Sequence, residues 1–363
     1  MHKFFTSSYD ASIYLQQPDQ NAGRDEILEV GKLYYGSTKD IARTLIKFDT
    51  GSIKYTIQND TTGNWKTYLV LHSANASEIP LQYSIYANAV SQSWGMGTGT
   101  KFDNITTDGV SWKYKDGINR WQDNAIGGTA YYIAGTTGSA NAEGGTWYIT
   151  GSATQSFSNE PDDVRMDVTN IIHQWISGSL PNNGFIIRHS IDAENDTSDY
   201  GVLKFFSKET NTIYEPKLEL VWDDSVFQTG SLSPISGSNS LDVFENTKIL
   251  VTNLQKEYFQ NTKTKIRIKG RDLFPLKSFT SQFEYDQSKY LPTSSYYQIE
   301  DYKTNEVIIP FGDYSKISCD SKSNYFYLDT ATYPINRTYR LKIKVISDGI
   351  TKIIDDRLIF DVI

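Results

Sequence analysis

The chain has 363 residues, a formal net charge of −8 and an aromatic content of 13%. The acidic balance argues against nucleic-acid binding, which needs a basic face for phosphate contacts. The single cysteine, Cys319, excludes an internal disulfide framework. The sequence has no run of about 18 apolar residues, so no membrane span is predicted. The N-terminus lacks the apolar core of a secretory signal, so we expect no export by that route.

Alternating apolar and polar residues predict a series of β-strands through the first 222 residues. The abundance of Tyr and Phe suits pleated sheets better than helices. Strands are predicted at 11–16, 27–35, 42–48, 65–72, 81–87, 164–168, 185–189, 201–206 and 217–222. This pattern indicates an all-β domain.

One short helix of about two turns is predicted within this series, between the strand at 164–168 and Gly178. Thr169 or Asn170 can cap its start, and Gly178 ends it. Its apolar stripe comprises Val168, Ile171, Ile172, Trp175 and Ile176. A helix of about two turns is marginal alone in water. We therefore expect it to cover the end of a β-core, with Trp175 buried.

The stretch of roughly 94–150 differs in character, because it is rich in Gly, Thr and Asn and has no long periodic run. Its aromatic residues are candidates for contact with a partner protein or a sugar. These candidates are Trp94, Trp112, Trp121, Tyr131, Tyr132 and Trp147. Three explanations stay open: the rings anchor loops to a core, enter a protein interface, or form a sugar platform.

Acidic residues that follow the strand at 185–189 are candidates for a calcium site, since calcium takes oxygen ligands. Asp192, Glu194 and Asp196 alternate as in part of a calcium loop, but the Gly and Glu of later loop positions are missing. A solvated acidic loop is the alternative. The chain has no paired-His zinc motif, P-loop, GxGxxG opening a helix, or GxSxG, which favours a non-enzymatic protein. We expect no cofactor apart from this calcium candidate.

Five sequence elements carry a family resemblance that covers about residues 5–223. They are DASIYLQQPDQNAGRDEILEVG, ARTLIKFD, MDVTNIIHQWISGSLPNNGFIIR, LKFFSKE and EPKLELVW, in that order. The stretch resembles a DNRLRE-type domain, a family similar to secreted carbohydrate-binding modules and found in microbial surface and phage virion proteins. The resemblance implies a jelly-roll β-sandwich over 1–224. The 94–150 insertion departs from the family.

The Ser- and Gly-rich stretch 225–240 is predicted to be a linker or a loop that enters the next domain. Beyond it, strands at short spacing predict a smaller Ig-like β-sandwich over 241–363. These strands are predicted at 263–269, 296–300, 307–310, 325–328, 338–346 and 352–362. The segments IRIKGRDLFPLKSF and TYRLKIKVISDG loosely resemble Ig-like accessory domains of phage tail and neck proteins.

Together these observations favour a non-enzymatic structural protein of a phage virion, a tail, neck or baseplate component made in the host cytoplasm. It would act through protein–protein interfaces with other virion proteins in a multi-copy assembly. The alternative is a carbohydrate-binding cell-surface or host-receptor-binding protein whose partner is a surface glycan. Neither nucleic acid nor a membrane is expected as a partner.

Overall fold

The structure is a computed structural model that describes residues 1–61, 63–122, 131–133, 143–158, 163–235, 244–274, 288–331, 333–347 and 349–363. Its fold is all-β and built from sandwiched sheets, as the sequence predicts. The α-helices of the described residues are α1 (Thr50–Asn59), α2 (Thr169–Ser177) and α3 (Ile191–Asn195). No helix in these ranges has the length and hydropathy needed to span a bilayer.

The strands are numbered in chain order. The first thirteen are β1 (His2–Thr6), β2 (Tyr9–Tyr14), β3 (Ile27–Tyr35), β4 (Thr38–Lys47), β5 (Trp65–Leu71), β6 (Ser73–Ser77), β7 (Gln82–Val90), β8 (Tyr131–Ile133), β9 (Thr146–Ser158), β10 (Val164–Asp167), β11 (Phe185–Arg188), β12 (Gly201–Phe206) and β13 (Lys217–Trp222). The others are β14 (Ser233–Pro234), β15 (Thr247–Val251), β16 (Glu257–Tyr258), β17 (Lys263–Asp272), β18 (Lys289–Tyr290), β19 (Ser295–Asp301), β20 (Val307–Ile309), β21 (Ser318–Cys319), β22 (Asn324–Asp329), β23 (Arg337–Ser347) and β24 (Ile350–Val362).

The chain divides into two compact units. The larger, here called the N-terminal unit, comprises Phe4–Asp60 and Lys66–Leu220. The smaller, the C-terminal unit, comprises Met1–Lys3, Thr61–Trp65 and Val221–Ile363. The C-terminal unit is therefore assembled from three separate stretches of sequence, which the composition did not indicate.

The N-terminal unit contains most residues of a four-stranded sheet, in the order β1-β13-β5-β10, and a nine-stranded sheet. The order of the second is β6-β12-β3-β4-β11-β7-β9-β8, and β2 also pairs with β4. Strand β10 illustrates why these segments form half-buried strands, because Val164 and Met166 are buried while the intervening Arg165 is exposed. The alternation in sequence thus matches the two faces of the sheet.

Helix α2 lies against the N-terminal unit through its predicted apolar stripe. Trp175 is 5% exposed, and its ring lies 4.7 Å from that of Phe185. The predicted cap at Thr169 or Asn170 is wrong, because the N-cap residue is Val168 and no side chain caps the helix there. Asp167, one residue earlier, accepts hydrogen bonds from the Thr169 backbone N (3.1 Å) and Oγ1 (2.6 Å). The helix ends at Gly178 with φ of 78°, as predicted.

The C-terminal unit has a six-stranded and a five-stranded sheet that share one core. The orders are β14-β18-β17-β22-β21, with β15 on β17, and β16-β24-β23-β19-β20. Tyr297 of the second sheet stacks on Phe326 of the first, with ring centroids 4.1 Å apart. Cys319 is buried as a free thiol. The sandwich is thus held by apolar packing between its two sheets.

Residues 225–235 of the predicted linker belong to the C-terminal unit. The backbone N of Cys319 donates to the carbonyl of Val226 (2.8 Å), and the backbone N of Gln228 donates to the carbonyl of Cys319 (2.9 Å). Ile235 is 7% exposed and lies in the core. These residues are therefore part of a folded unit and not a free linker. Composition did not reveal this, because Ser and Gly are also compatible with short edge strands. Residues 236–240 of that prediction lie outside the described residues.

Candidate interaction surface of the N-terminal unit

The segment that follows β7 covers one face of the nine-stranded sheet with indole rings. The exposures of Trp94, Trp112, Trp121 and Trp147 are 6%, 5%, 0% and 1%. Their cluster also contains apolar residues of β2, β4 and β11, namely Ala11, Ile13, Ile41, Leu45 and Ile186. An indole buried to this extent offers no open face to a sugar or a partner protein. For these four residues the core-anchoring explanation therefore applies.

The other two aromatic candidates, Tyr131 and Tyr132, lie on the short strand β8. Their backbones pair with Tyr148 and Trp147 of β9. Their side chains lie outside the described residues, so the sugar-contact and interface explanations for them stay predictions.

Two of the indole N–H groups in the cluster donate to backbone carbonyls of the same unit. Nε1 of Trp94 donates to the carbonyl of Asn183 (2.7 Å), and Nε1 of Trp121 donates to the carbonyl of Ser111 (3.1 Å). Each bond removes the desolvation cost of a buried polar group. These two indoles are therefore fixed in orientation as well as position.

A buried ion pair lies beside the tryptophan cluster. Arg43 Nη2 is 2.6 Å from Glu194 Oε2, and Arg43 Nε is 3.0 Å from Glu194 Oε1. The guanidinium lies over the rings of Trp112 (4.7 Å) and Trp147 (5.2 Å) and donates through Nη1 to the carbonyl of Gly144. Arg43 thus joins the sheet, α3 and the residues before β9.

The calcium candidates do not converge on one point. Glu194 is engaged by Arg43, whereas Asp196 accepts hydrogen bonds from Lys32 Nζ (3.1 Å) and the Tyr200 hydroxyl (2.9 Å). The side chain of Asp192 is exposed on α3. Within the described part of the chain, no three His, Cys, Asp or Glu side chains are placed to hold a metal ion. The alternation in sequence therefore reflects a helix and two separate ion pairs.

His189 is buried next to this polar layer, at 1% exposure. Among the described residues, neither ring nitrogen makes a hydrogen bond of normal geometry. Burial lowers the pKa of His189 to about 4, and the nearby Glu194 carboxylate and Ser84 backbone offset only part of that effect. The imidazole is therefore neutral at pH 7.

Three exposed apolar side chains lie on the same loops that carry the buried tryptophans. Phe102, Ile105 and Ile118 are 86%, 73% and 83% exposed, and we call them the apolar tip. The backbones on either side of the tip are in close contact at Gly117 and Thr107. A Cβ atom added to Gly117 would lie 2.0 Å from the carbonyl oxygen of Thr107. Sequence reasoning missed these residues because it searched the loops for Trp and Tyr. The available signal was a large apolar residue in an otherwise polar, Gly-rich stretch.

The buried side chain of Asn21 holds the loops that carry the apolar tip, together with that of Gln20, whose Nε2 donates to the carbonyl of Thr100 (2.5 Å). Asn21 Nδ2 donates to the carbonyls of Met96 (2.7 Å) and Val110 (2.8 Å), and its Oδ1 accepts from the backbone N of Gly99 (2.8 Å) and Gly23 (3.2 Å). Asn21 is 0% exposed. All the hydrogen-bonding capacity of this amide is therefore spent on positioning the loops.

Two aspartates stiffen the loops locally. Asp116 Oδ1 accepts from the backbone N of Ile118 (3.1 Å) and Asn119 (2.6 Å). Asp108 Oδ2 accepts from the Thr98 hydroxyl (2.6 Å), and this hydrogen bond lowers the pKa of Asp108 below its usual value. Both carboxylates are thus ionised parts of the loop framework and not free ligands.

An open groove lies elsewhere on the N-terminal unit, at the paired ends of β7 and β9. Its volume is about 410 Å³, and it is lined by Gln82, Tyr83, Ser84, Ser156, Phe157 and Ser158. The hydroxyls of Ser84 and Ser156 are 2.9 Å apart. The groove is therefore lined mainly by neutral hydrogen-bonding groups.

Comparison with known proteins leaves the family open. No family model matches the chain, and no curated protein matches it. Among solved structures, it is similar to a DUF4785 family protein from Legionella pneumophila subsp. pneumophila strain Philadelphia 1, with 10% sequence identity and a TM-score of 0.20. The match covers 100% of this chain, which spans 65% of that protein. At this TM-score the likeness carries no argument.

Proposed function

We propose that the protein is a non-enzymatic structural component of a phage virion, at the tail, neck or baseplate, and that it acts through protein–protein interfaces. The observation that carries this proposal is the apolar tip. Its three large apolar side chains are exposed to water, although removing apolar surface from water is energetically favourable. A partner surface that covers them would supply that stabilisation.

The rigidity of the supporting loops agrees with a role in binding. Loops already fixed by Asn21 lose little conformational entropy when a partner docks, so more of the contact energy appears as affinity. The resemblance of residues 5–223 to DNRLRE-type domains supports the same proposal, because that family occurs in phage virion proteins. Copies of the chain would meet other virion proteins through this tip.

The test is incorporation into particles. Particles that lack the protein would be complemented with the chain carrying Phe102→Ser, Ile105→Ser and Ile118→Ser, and the amount retained after purification would be measured. A control variant carries serine at Tyr55, Leu81 and Ile149, which are also exposed apolar residues of the N-terminal unit. The tip variant should be lost from particles while the control is retained.

Equal retention of both variants would refute the role of the apolar tip, and absence of the wild-type chain from particles would refute the virion assignment. The second candidate function, glycan binding, is favoured by the β7–β9 groove. Neutral hydroxyl and amide groups are the donors and acceptors that sugars use. Titration of the wild-type chain with neutral oligosaccharides, with Ser84→Leu as the blocked variant, tests that candidate independently.

A further inference from the structure

Every outward-facing position of β17 carries a positive charge. Ile266 and Ile268 are 0% exposed, so the alternate residues of this strand point away from the core. These outward residues are Lys263, Lys265, Arg267, Lys269 and Arg271. We call them the basic row.

The basic row is only partly neutralised by acidic neighbours. Asp320 pairs with Lys265 (2.8 Å) and Arg267 (3.0 Å). The remaining three members, Lys263, Lys269 and Arg271, make no ion pair within the described residues, and each is at least partly exposed. An excess of positive charge therefore faces solvent along the strand.

The basic row contrasts with the charge of the rest of the chain. Residues 1–220 hold 17 Lys and Arg against 25 Asp and Glu, which accounts for the whole net charge of −8, whereas residues 221–363 hold 18 of each. With Lys3 added, the acidic total therefore conceals a C-terminal unit with a formal net charge of +1. A single-signed row on a nearly uncharged unit is a local feature that the overall charge cannot reveal.

The geometry of the row indicates the shape of its ligand. Alternate residues on a strand are about 6.6 Å apart, so five of them span roughly 27 Å in a line. Tyr325 and Tyr327 lie opposite Arg267 and Lys265 on β22, and Lys265 Nζ is 3.5 Å from the centroid of the Tyr325 ring. The middle of the row is thus held in place, and the line suits an extended polymer with regularly spaced negative charges.

We propose that the basic row binds an acidic polysaccharide, a linear sugar chain with a carboxylate on its repeating unit. Single-stranded nucleic acid fits less well, because its bases need open aromatic faces for stacking. The face of Tyr325 is covered by the Lys265 ammonium. The acidic N-terminal unit also disfavours a polymer as densely charged as nucleic acid. This proposal is independent of the apolar tip and of the β7–β9 groove.

Polygalacturonate serves as the probe, and binding to the full chain is measured by calorimetry at several salt concentrations. The test variant carries Lys263→Gln, Lys269→Gln and Arg271→Gln. The control carries Lys54→Gln, Lys256→Gln and Lys303→Gln, which removes three exposed charges that make no ion pair within the described residues. The wild type and the control should bind with an affinity that falls as salt rises. The test variant should bind at least about tenfold more weakly, a difference of about 1.4 kcal/mol.

Four outcomes would overturn the proposal. These are no binding by the wild type at low salt, equal weakening in the control, equal binding of a neutral galactan, and tighter binding of a thymidine oligonucleotide than of polygalacturonate. The last outcome would assign the row to nucleic acid. Circular dichroism melting curves of both variants should match the wild type, and a third variant, Lys269→Gln alone, tests the row if the triple variant does not fold.

Discussion

Arg43 and Glu194 form a bidentate ion pair in which both side chains are less than 5% exposed. Replacing Glu194 by Ala would leave the guanidinium charge buried without its carboxylate. Such a loss costs about 3–5 kcal/mol of the free energy of unfolding. Urea unfolding at pH 7 measures this cost. Asp192→Ala, on the exposed side of the same helix, should change stability by less than about 0.5 kcal/mol. Equal effects of the two substitutions would contradict the structural role of the pair.

Asn21→Ala should release the loops that carry the apolar tip. Four hydrogen bonds to backbone groups are lost, and the freed polar groups of Met96, Gly99 and Val110 open to water. Amide hydrogen exchange should accelerate over residues 96–110 while the strands of the nine-stranded sheet stay protected. Asn211→Ala, at an exposed position, provides the control. Unchanged exchange over 96–110 would contradict this role of Asn21 and would mean that the remaining contacts, among them the Gln20–Thr100 hydrogen bond and the buried tryptophans, suffice to hold the loops.

His189 and Asp10 should make opposite contributions to the pH dependence of stability. Burial lowers the pKa of His189 from 6.5 to about 4, so its contribution is full above pH 6.5 and is lost as the pH falls toward 4. Burial raises the pKa of Asp10 from 3.8 to about 7, so its contribution is full below pH 3.8 and is lost as the pH rises toward 7. Between pH 4 and 6.5, His189 therefore makes the free energy of unfolding rise with pH, whereas Asp10 makes it fall.

Asp10→Asn tests this opposition. The substitution removes the Asp10 contribution, which falls as the pH rises. The free energy of unfolding should then rise with pH between 4.5 and 6.5 by roughly 1–3 kcal/mol, since one pKa unit corresponds to about 1.4 kcal/mol. Urea titrations at several pH values measure the change. The charged neighbours involved are Glu194, Lys32 and Arg188 around His189, and Lys208 and Glu209 around Asp10. A curve for Asp10→Asn with the same slope as the wild type would contradict the expectation.

Limited proteolysis should spare residues 225–235. Val226 and Gln228 are hydrogen-bonded through their backbones to Cys319, and β14 pairs with β18. A protease therefore cannot bind these segments in an extended conformation without local unfolding. Mass spectrometry of early fragments locates the cuts. Early cleavage after Phe227, which is partly exposed, would show that this edge opens readily.

Many of the strands could be predicted from sequence because their periodicity is a local property, although β1, β9 and β15 were missed. In β17, charged residues and isoleucine alternate, and the burial follows the same alternation. Helix α1 was not predicted, since only Ile53 and Thr56 are buried in it and no apolar stripe forms. The signal that existed was Asp49, whose side chain accepts from the backbone N of Gly51 and Ser52.

The sequence could not predict whether the tryptophans are buried or exposed, because their burial depends on residues distant in sequence. A Gly-rich stretch with Trp112 and Trp121 has the composition of an exposed loop, and the loop is instead closed over the sheet by Asn21, roughly ninety residues earlier. The partners of the calcium candidates are equally remote, since Arg43 is 151 residues from Glu194. Composition and spacing do not encode such contacts, so the apolar tip became visible only in the folded chain.

The C-terminal unit draws on residues 1–3, 61–65 and 221–363. On the ribosome, its first residues emerge long before the strands they join, and the N-terminal unit is synthesised in between. The ammonium of Met1 donates to the carbonyl of Trp222 (2.6 Å). This contact can therefore form only after more than two hundred further residues have been translated. A gene fragment that begins at residue 221 would lack both early segments. Dissecting this protein into its two units therefore requires a circular permutation or a graft.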